Sequence, residues 1–387
     1  MIDFGLTRER FQADHFEKEP HLFRDAVREQ LVSWSDLDSL LMVVPPTAPF
    51  LRLFHHGVVP ESQFTTETVV MGQGRRKLDK SRFYEYMRNG ATLVINRLED
   101  YSVAAKRLCV EIGRFMGAEA TGNAYVSFRG DGTFGNHWDT HDVFAIQLIG
   151  RKRWAIYPPT FPLPLTYQTH DAARHACPAR PVLELTLEQG DMLYVPRGWW
   201  HHVVPLDEGS LHLSVGIYPP TLYDYILWTS ARYLQQEIDV RRAFSRDDYR
   251  QKVDEALQRL RSVLHDERTV AEFMTHRIGN QPLSSEFNVE LFLDPRGVSL
   301  RPDSLISLTA FDTPDLDRGE IAANGSRLRP DPDSLAVARA LQDCRWIRFD
   351  ALCERVPRLG RDAVARAVLN LARHEIVTLY NDPEGMA

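Results

Sequence analysis

The chain has 387 residues, of which 43% are hydrophobic and 26% are charged. This length and composition exclude a disordered chain and are sufficient for a buried core in two or three domains. The formal net charge of −7 argues against a general attraction to nucleic acid or to an anionic membrane surface.

Apolar patterning and cysteine usage both favour a cytoplasmic protein. No apolar run reaches the roughly eighteen residues of a membrane-spanning helix, and the first residues, MIDFGLTRERF, lack the basic and then apolar pattern of a secretion signal. The four cysteines are scattered without CxxC spacing: Cys109, Cys177, Cys344 and Cys353. That scatter favours reduced thiols over a disulfide framework or a structural zinc site.

In chain order, the pattern changes from helical to β-rich near residue 120. Residues 1–120 mix helical patterns with loops; SRFYEYMRNG and YSVAAKRLCVEIGRFMGA have apolar residues at helical spacing, and the second ends at Gly117. Residues 123–220 contain seven short β-rich runs: NAYVSF, VFAIQLI, RWAIYP, VLELTL, DMLYVP, HHVVPL and SLHLSVGIY. This predicts a mostly β core of the jelly-roll (double-stranded β-helix, cupin) class, with flanking helices.

Beyond residue 220 the pattern is helical again. TLYDYILWTSARYLQQEI and DDYRQKVDEALQRLRSVL are amphipathic and suited to an interface. A Pro/Asp-rich segment, RLRPDPDSL, leads into three short helices and a strand that resemble a winged-helix module. We therefore predict three domains: a catalytic domain with N-terminal helices (1–220), a helical dimerisation region (221–283) and a winged-helix-like domain (284–387).

The segment GNHWDTHDVF contains the first candidate metal ligands. In a strand, His137 and Asp139 would project to the same face, toward a barrel interior. The spacing alone is a weak signal, because His265 and Glu267 form a similar triplet in a helical stretch. By itself, the first pair is more typical of a solvated strand end.

A second segment, GDMLYVPRGWWHHVV, places a histidine at the start of a strand after two turns. His201 and His202 would point to opposite faces, and the pattern alone does not choose between them. One of them with His137 and Asp139 would make a site of two histidines and one carboxylate. That set leaves positions open for a bidentate co-substrate and O2, which suits non-haem iron(II), although zinc accepts the same ligands.

A third feature is Lys152, fifteen residues after His137 in IGRKRWAIY. Strand alternation places Lys152, Trp154 and Ile156 on one face. Arg151 and Arg153 lie on the other face and are alternative candidates for an inward-facing cation. A buried ammonium group at this position could pair with the distal carboxylate of 2-oxoglutarate while the 2-oxo acid end chelates iron.

These motifs together resemble the JmjC/cupin-type 2-oxoglutarate oxygenases, and most closely the ribosomal oxygenases, which hydroxylate residues of ribosomal proteins. FQADHFEKEPHLFRDAV resembles their N-terminal signature, and NAYVSFRGDGTFGNHWDTHDVFAIQLIGRKRWAIYPP follows their core. The resemblance implies that His201 is the third ligand of Fe(II) and that His202 faces away. It also implies a homodimer formed by helices and a 2-oxoglutarate site at these positions: Asn123, Tyr125, Lys152 and Ser214.

Two positions depart from the family pattern. Trp138 stands where Tyr or Leu is usual, and Phe134 replaces a residue that is polar in related asparaginyl hydroxylases; both could shape the substrate pocket. We also expect three residues near the mouth of the barrel that could contact substrate: His141, Asp142 and Arg129.

Three functions stay open on the sequence. The favoured one is an Fe(II)- and 2-oxoglutarate-dependent dioxygenase that hydroxylates a protein or peptide side chain, with a ribosomal protein as one candidate, and without membrane or specific nucleic-acid partners. The second is a hydroxylase of a small molecule or biosynthetic peptide, and the third is a non-catalytic cupin that only binds. Hydroxylation and demethylation are not distinguished by these residues.

Overall fold

The structure is a computed structural model, and the chain divides into two compact units, Met1–Tyr218 and Pro219–Ala387. The residues that it describes are 2–130, 132–168, 176–280, 285, 287–293, 300–309, 316–342, 344 and 346–381. Each unit is described by itself below. The predicted division into three domains stays a prediction.

The first unit is built mainly from antiparallel strands preceded by helices. Its helices are α1 (Arg8–Asp14), α2 (Trp34–Val43), α3 (Lys80–Arg88) and α4 (Val103–Met116). Its strands are β1 (His21–Phe23), β2 (Leu51–Phe54), β3 (Thr65–Val70), β4 (Gln73–Leu78), β5 (Thr92–Ile95), β6 (Glu119–Ser127), β7 (Asp142–Ile149), β8 (Lys152–Tyr157), β9 (Leu183–Leu187), β10 (Met192–Val195), β11 (Trp200–Pro205) and β12 (Ser210–Tyr218).

Two sheets form the β core. A seven-stranded sheet has the order β1-β10-β7-β12-β6-β5-β2, and a three-stranded sheet has the order β11-β8-β9. Every pairing in both sheets is antiparallel. The seven predicted strands all form, as β6 to β12, and the predicted mostly β, jelly-roll class with flanking helices is confirmed.

Strand β7 has a nearly continuous apolar sequence because both of its faces are buried. Phe144 and Ile146 pack into the cluster beneath the helices, whereas Val143 and Ala145 pack into the cluster between the two sheets. A strand covered on both faces needs apolar residues at successive positions rather than at alternate ones. The inner cluster, with Trp154 from β8, is the wall against which the candidate site is built.

The N-terminal region differs from its prediction in one respect. Helices α3 and α4 form as predicted, and α4 ends at Gly117, which has a left-handed backbone with φ 66°. However, this region also supplies strands, and β5 and β2 extend the large sheet beyond β6. These strands have only four residues each, and so short an apolar run does not distinguish a strand from a buried turn of helix.

The second unit is mixed helix and strand. Its helices are α5 (Leu222–Tyr233), α6 (Ile238–Arg241), α7 (Tyr249–Leu264), α8 (Glu267–Gly279), α9 (Val289–Leu293), α10 (Pro332–Leu341), α11 (Phe349–Arg355) and α12 (Arg361–Arg373). Its strands are β13 (Leu305–Leu308), β14 (Ile321–Ala323), β15 (Ser326–Leu328), β16 (Ile347–Arg348) and β17 (Val377–Tyr380). Among the described residues, no helix has the length and apolar character needed to cross a membrane.

The three short helices and the final strand predicted at the C-terminus form, and their assignment to a winged-helix-like domain stays a prediction. Helices α10, α11 and α12 precede β17 and enclose their own apolar core. The central strand of its sheet, β13, comes from upstream of the three helices and pairs with both β16 and β17. Strand β13 lies within the predicted domain 284–387 but ahead of its three helices, and the sequence pattern did not indicate this strand.

Candidate active site

Two histidines and a carboxylate converge at one end of the β core. His137, Asp139 and His201 each offer a ligand atom, and these atoms all lie within 4.8 Å of one another. His201 Nε2 lies 3.6 Å from Asp139 Oδ2, and the two imidazole ring centres are 4.2 Å apart. Two imidazoles and one carboxylate with open space in front of them are the ligand set of non-haem iron(II) sites.

Backbone pairing brings the two sequence-distant segments together. His137 and His201 form an isolated antiparallel bridge: His137 N–H donates to His201 O at 3.1 Å, and His201 N–H donates to His137 O at 2.8 Å. Asp139 lies in no regular element, so the strand geometry considered for this pair is present only as the bridge at His137. The bridge nevertheless holds the segment in an extended conformation. The side chains of His137 and Asp139 therefore still lie on the same face.

Both imidazoles are oriented by main-chain carbonyl groups. His137 Nδ1 lies 3.1 Å from Gly135 O, and His201 Nδ1 lies 3.2 Å from Trp199 O. A carbonyl oxygen can only accept, so Nδ1 carries the proton and Nε2 presents its lone pair to a metal. Burial, followed by the neighbouring His137, lowers the pKa of His201 to about 4, which keeps this imidazole in the neutral form that metals bind.

The alternating residues of both segments point the other way. Trp138 and Trp200 are buried on the opposite side, with ring centres 6.4 Å apart in an edge-to-face contact. His202 lies outside the metal group, because its ring packs against the backbone at Gly132. The isolated triplet of His265 and Glu267 falls at the junction of α7 and α8, in the other unit.

A cavity extends from this group into the core. The polar residues around it come from five separate parts of the first unit: Thr92, Tyr125, Ser127, Thr133, Lys152, His212 and Ser214. Phe134 and Trp154 supply apolar walls. Of the predicted co-substrate residues, Tyr125, Lys152 and Ser214 line this cavity.

Asn123 does not line the cavity. It shares a face of β6 with Tyr125, but its Oδ1 accepts a hydrogen bond from Arg97 N–H at 3.1 Å. Its assignment to 2-oxoglutarate stays a prediction that this side-chain position does not support.

Lys152 is a buried cation without an anionic partner in the described part of the chain. Its Nζ donates to Tyr125 O at 2.9 Å and lies 2.9 Å from His212 Nδ1. Burial lowers the pKa of Lys152 to about 7, and burial followed by Lys152 itself lowers the pKa of His212 well below its usual value. A neutral His212 can accept at Nδ1, but it cannot balance a charge, so this end of the cavity is suited to an anionic ligand.

The neighbouring arginines face outward. Arg153 is exposed, and Arg151 pairs at the surface with Glu208 at 3.0 Å. The predicted register of β8, with Lys152 and Trp154 inward, is confirmed.

His212 is a site residue that the sequence reasoning missed. Its ring stacks on Tyr125 with centres 4.9 Å apart and planes at 4°, and it contacts Lys152. Alternation along β12 could have found it, because His212 lies two residues before Ser214 and therefore on the same face.

The expectations about the mouth of the barrel are corrected in two places. Asp142 is fully buried and binds Arg197 and Tyr194, so it does not contact substrate at the mouth. Trp138 packs against Phe161 and Trp200 and does not line the cavity, whereas Phe134 does.

His141 stacks on Tyr218 with ring centres 5.2 Å apart, and Arg129 is exposed. Neither residue lines the cavity, and a contact of either with substrate stays a prediction.

Comparison with known protein families agrees with this geometry, since residues 99–225 match the JmjC domain. Residues 99–225 are therefore similar to a JmjC domain. The match begins ahead of β6 and ends in α5, and it includes the three converging side chains and Lys152. The predicted resemblance to JmjC/cupin-type oxygenases is therefore confirmed.

Proteins similar to this chain include named demethylases, hydroxylases and oxygenases from animals. It is 27% identical over 225 residues to the "bifunctional lysine-specific demethylase and histidyl-hydroxylase NO66" of Drosophila persimilis, covering 56% of this chain and 31% of that protein. It is 31% identical over 137 residues to "ribosomal oxygenase 1" of Gallus gallus, covering 35% of this chain and 23% of that protein. The chain thus spans about a third or less of the length of these relatives.

Solved structures extend the likeness of the fold beyond the JmjC domain. The ribosomal oxygenase YcfD of Escherichia coli, in complex with cobalt and 2-oxoglutarate, matches with a TM-score of 0.57 at 16% identity, over 98% of this chain and 99% of that one. A second structure of the same protein matches with a TM-score of 0.58 at 17% identity. At this identity the match shows a shared fold and carries no further conclusion.

Proposed function

We propose that this JmjC protein is an Fe(II)- and 2-oxoglutarate-dependent oxygenase that hydroxylates a side chain of a protein or peptide. The observation that carries the proposal is the pairing of two features in one cavity. One end holds the converging His137, Asp139 and His201, and the other holds Lys152, a buried cation beside which the described residues place no carboxylate. A dicarboxylate that chelates a metal with its 2-oxo acid end and pairs with Lys152 at its other end fits both.

Each residue then has a defined task. His137, Asp139 and His201 would hold Fe(II), which when bound supplies the activation of O2 coupled to oxidative decarboxylation of 2-oxoglutarate. Lys152 would bind the distal carboxylate, with His212 fixing the ammonium group and Ser214 and Tyr125 forming the adjacent wall. Trp154 and Phe134 would exclude water from the reacting atoms.

We infer a protein or peptide substrate, with a ribosomal protein as the first candidate, because one of the relatives is named "ribosomal oxygenase 1". The test is incubation of the purified protein with Fe(II), ascorbate, 2-oxoglutarate and ribosomal proteins, followed by mass spectrometry for the gain of one oxygen. The matched control is His201→Ala. A product that appears only in the small-molecule fraction of a cell extract would favour the alternative substrate class instead.

We also propose that the chain forms a homodimer through its central helices. Apolar side chains at helical spacing are exposed on α5 and α7: Tyr223, Leu227, Val253 and Leu257. Repeated apolar residues on solvent-facing helices are typical of a covered interface. Light scattering should give twice the chain mass, and a single-chain mass for the wild type would contradict this.

A further inference from the structure

A closed ring of hydrogen bonds and ion pairs lies beside the metal group and takes no part in the proposed reaction. Arg197 Nη1 lies 2.8 Å from Asp142 Oδ2, and Arg197 Nη2 lies 2.6 Å from Glu17 Oε1. Glu17 N–H donates to Tyr194 Oη at 3.0 Å, and Tyr194 Oη donates to Asp142 Oδ1 at 2.8 Å. The four residues therefore contact one another directly.

Two charged members of this ring, Asp142 and Arg197, are withdrawn from solvent, whereas the Glu17 side chain is partly exposed. Asp142 is 0% exposed and Arg197 is 7% exposed. Removing opposite charges from water costs free energy that their mutual attraction often does not recover, so a buried ion pair is a poor way to gain stability alone. A buried ion pair can instead fix one geometry of the segments that it connects.

The pair connects the two segments that carry the metal group. Asp142 is the first residue of β7 and follows Asp139 by three positions. Arg197 lies two positions after β10 and precedes His201 by four. Strands β7 and β10 are adjacent and antiparallel, so the ion pair lies where β7 begins and β10 ends.

Backbone hydrogen bonds continue from that point to the metal group. Gly198 N–H donates to Asp139 O at 3.0 Å. One step further, His137 and His201 exchange the two hydrogen bonds of their bridge. The ion pair is thus the side-chain link between a rigid sheet and a short, irregular ladder that carries all three candidate ligands.

We propose that Arg197 and Asp142 are positioning residues, which fix the spacing between the segment of Asp139 and the segment of His201. Glu17 and Tyr194 hold the pair in place from the N-terminal region and from β10. The inference rests on the proposed function, since it takes the three converging side chains as ligands of one ion. It adds four residues to the site, none of which contacts the metal or the cavity.

Arginine suits this position because of its planar fork. One guanidinium contacts Asp142 and Glu17 through separate nitrogens, and the backbone N–H of Arg197 donates to Asp142 as well, at 3.3 Å. A lysine ammonium is a single point charge and would not span both carboxylates at these distances. Arg197→Lys should therefore recover only part of the effect of losing the charge.

The test is a titration of the folded, metal-free protein with Co(II), followed by visible absorption, beside a thermal melt. In Arg197→Met we expect the Co(II) dissociation constant to rise by roughly ten- to a hundredfold, the usual effect of removing a group that orients ligands. The visible bands should change, and Arg197→Lys should fall between this variant and the wild type. Arg197→Met should also lower the melting temperature, because it leaves Asp142 buried without its partner. The double variant Asp142→Asn/Arg197→Met should regain much of this lost stability, but it should not regain the Co(II) affinity.

A matched control lies at the other end of β10. Asp191 is also a buried carboxylate, and it accepts from Arg24 and from the backbone N–H groups of Asp25 and Glu188. Asp191→Asn should lower the melting temperature and leave the Co(II) affinity within about twofold, because the site is distant and shares no partner with the ligands.

Two results would overturn the inference. The first is a Co(II) affinity and spectrum in Arg197→Met that equal those of the wild type; the second is an equal loss of affinity in Asp191→Asn, which would mean that affinity only follows stability. If the wild type binds no Co(II), or if binding survives His137→Ala, the proposed metal site itself is wrong and the inference falls with it.

Discussion

At the scale of single residues, Lys152 is the side chain on which the proposed 2-oxoglutarate site depends most. Its buried ammonium group has only a carbonyl oxygen and an imidazole nitrogen as partners within the described residues. We expect Lys152→Met to lower the affinity for 2-oxoglutarate by roughly ten- to a hundredfold, since a charge-assisted contact contributes about 1.5–3 kcal/mol. Metal binding should persist, because Lys152 is not a ligand.

The neighbouring strand residue provides the control for this variant. Arg153 is exposed on the opposite face of β8, so Arg153→Met should leave the affinity for 2-oxoglutarate unchanged in calorimetry. Lys152→Arg should be partly tolerated, because a guanidinium still pairs with a carboxylate although its fork is larger. A greater loss in Arg153→Met than in Lys152→Met would show that Lys152 is not the carboxylate partner.

The same lysine predicts a pH dependence. Burial lowers the pKa of Lys152 to about 7 in the free protein, and a bound carboxylate favours the charged form. Binding above this pH must therefore take up a proton, so the affinity for 2-oxoglutarate should decrease as the pH rises beyond about 7. Calorimetry in buffers of different ionisation enthalpy measures that uptake, and Lys152→Met should lack it; proton release on binding would contradict the assignment.

At the scale of elements, strand alternation was enough to predict much of the site. It placed Lys152 and Trp154 inward on β8, and it placed either His201 or His202 inward on β11 without deciding between them. Which of the two histidines faces the site depends on the bridge between His201 and His137. This bridge joins residues 64 positions apart, so the local sequence pattern does not indicate it. The ring around Asp142 was missed for the same reason.

The last helix, α12, gives a prediction about nucleic acid. Two of its basic residues are already engaged: Arg361 lies over Phe349 at 4.8 Å, and Arg373 lies over Phe292 at 5.2 Å. Their positions favour packing within the C-terminal module over reading a duplex groove. We expect fluorescence anisotropy to detect no tight binding of duplex DNA at physiological salt; tight binding that weakens steeply with salt would contradict this.

At the scale of the whole molecule, the fold class and the family followed from residues 123–220, whereas the extent of the sheet did not. β2 and β5 enter the large sheet from the N-terminal region, and β13 enters the C-terminal sheet from upstream of its helices. Each is a strand of four residues whose partner is distant in sequence. Such strands form because a sheet edge is available to pair with them, which is a property of the assembled fold.

The central claim is that one cavity joins a metal held by His137, Asp139 and His201 to a site for 2-oxoglutarate. Anaerobic calorimetry, with 2-oxoglutarate titrated into the protein with and without Fe(II), tests it most directly. We predict tight binding only with the metal, its loss when any of the three residues is replaced by alanine, and its retention in His202→Ala. Equal binding without metal, or loss in His202→Ala with retention in His201→Ala, would contradict the account.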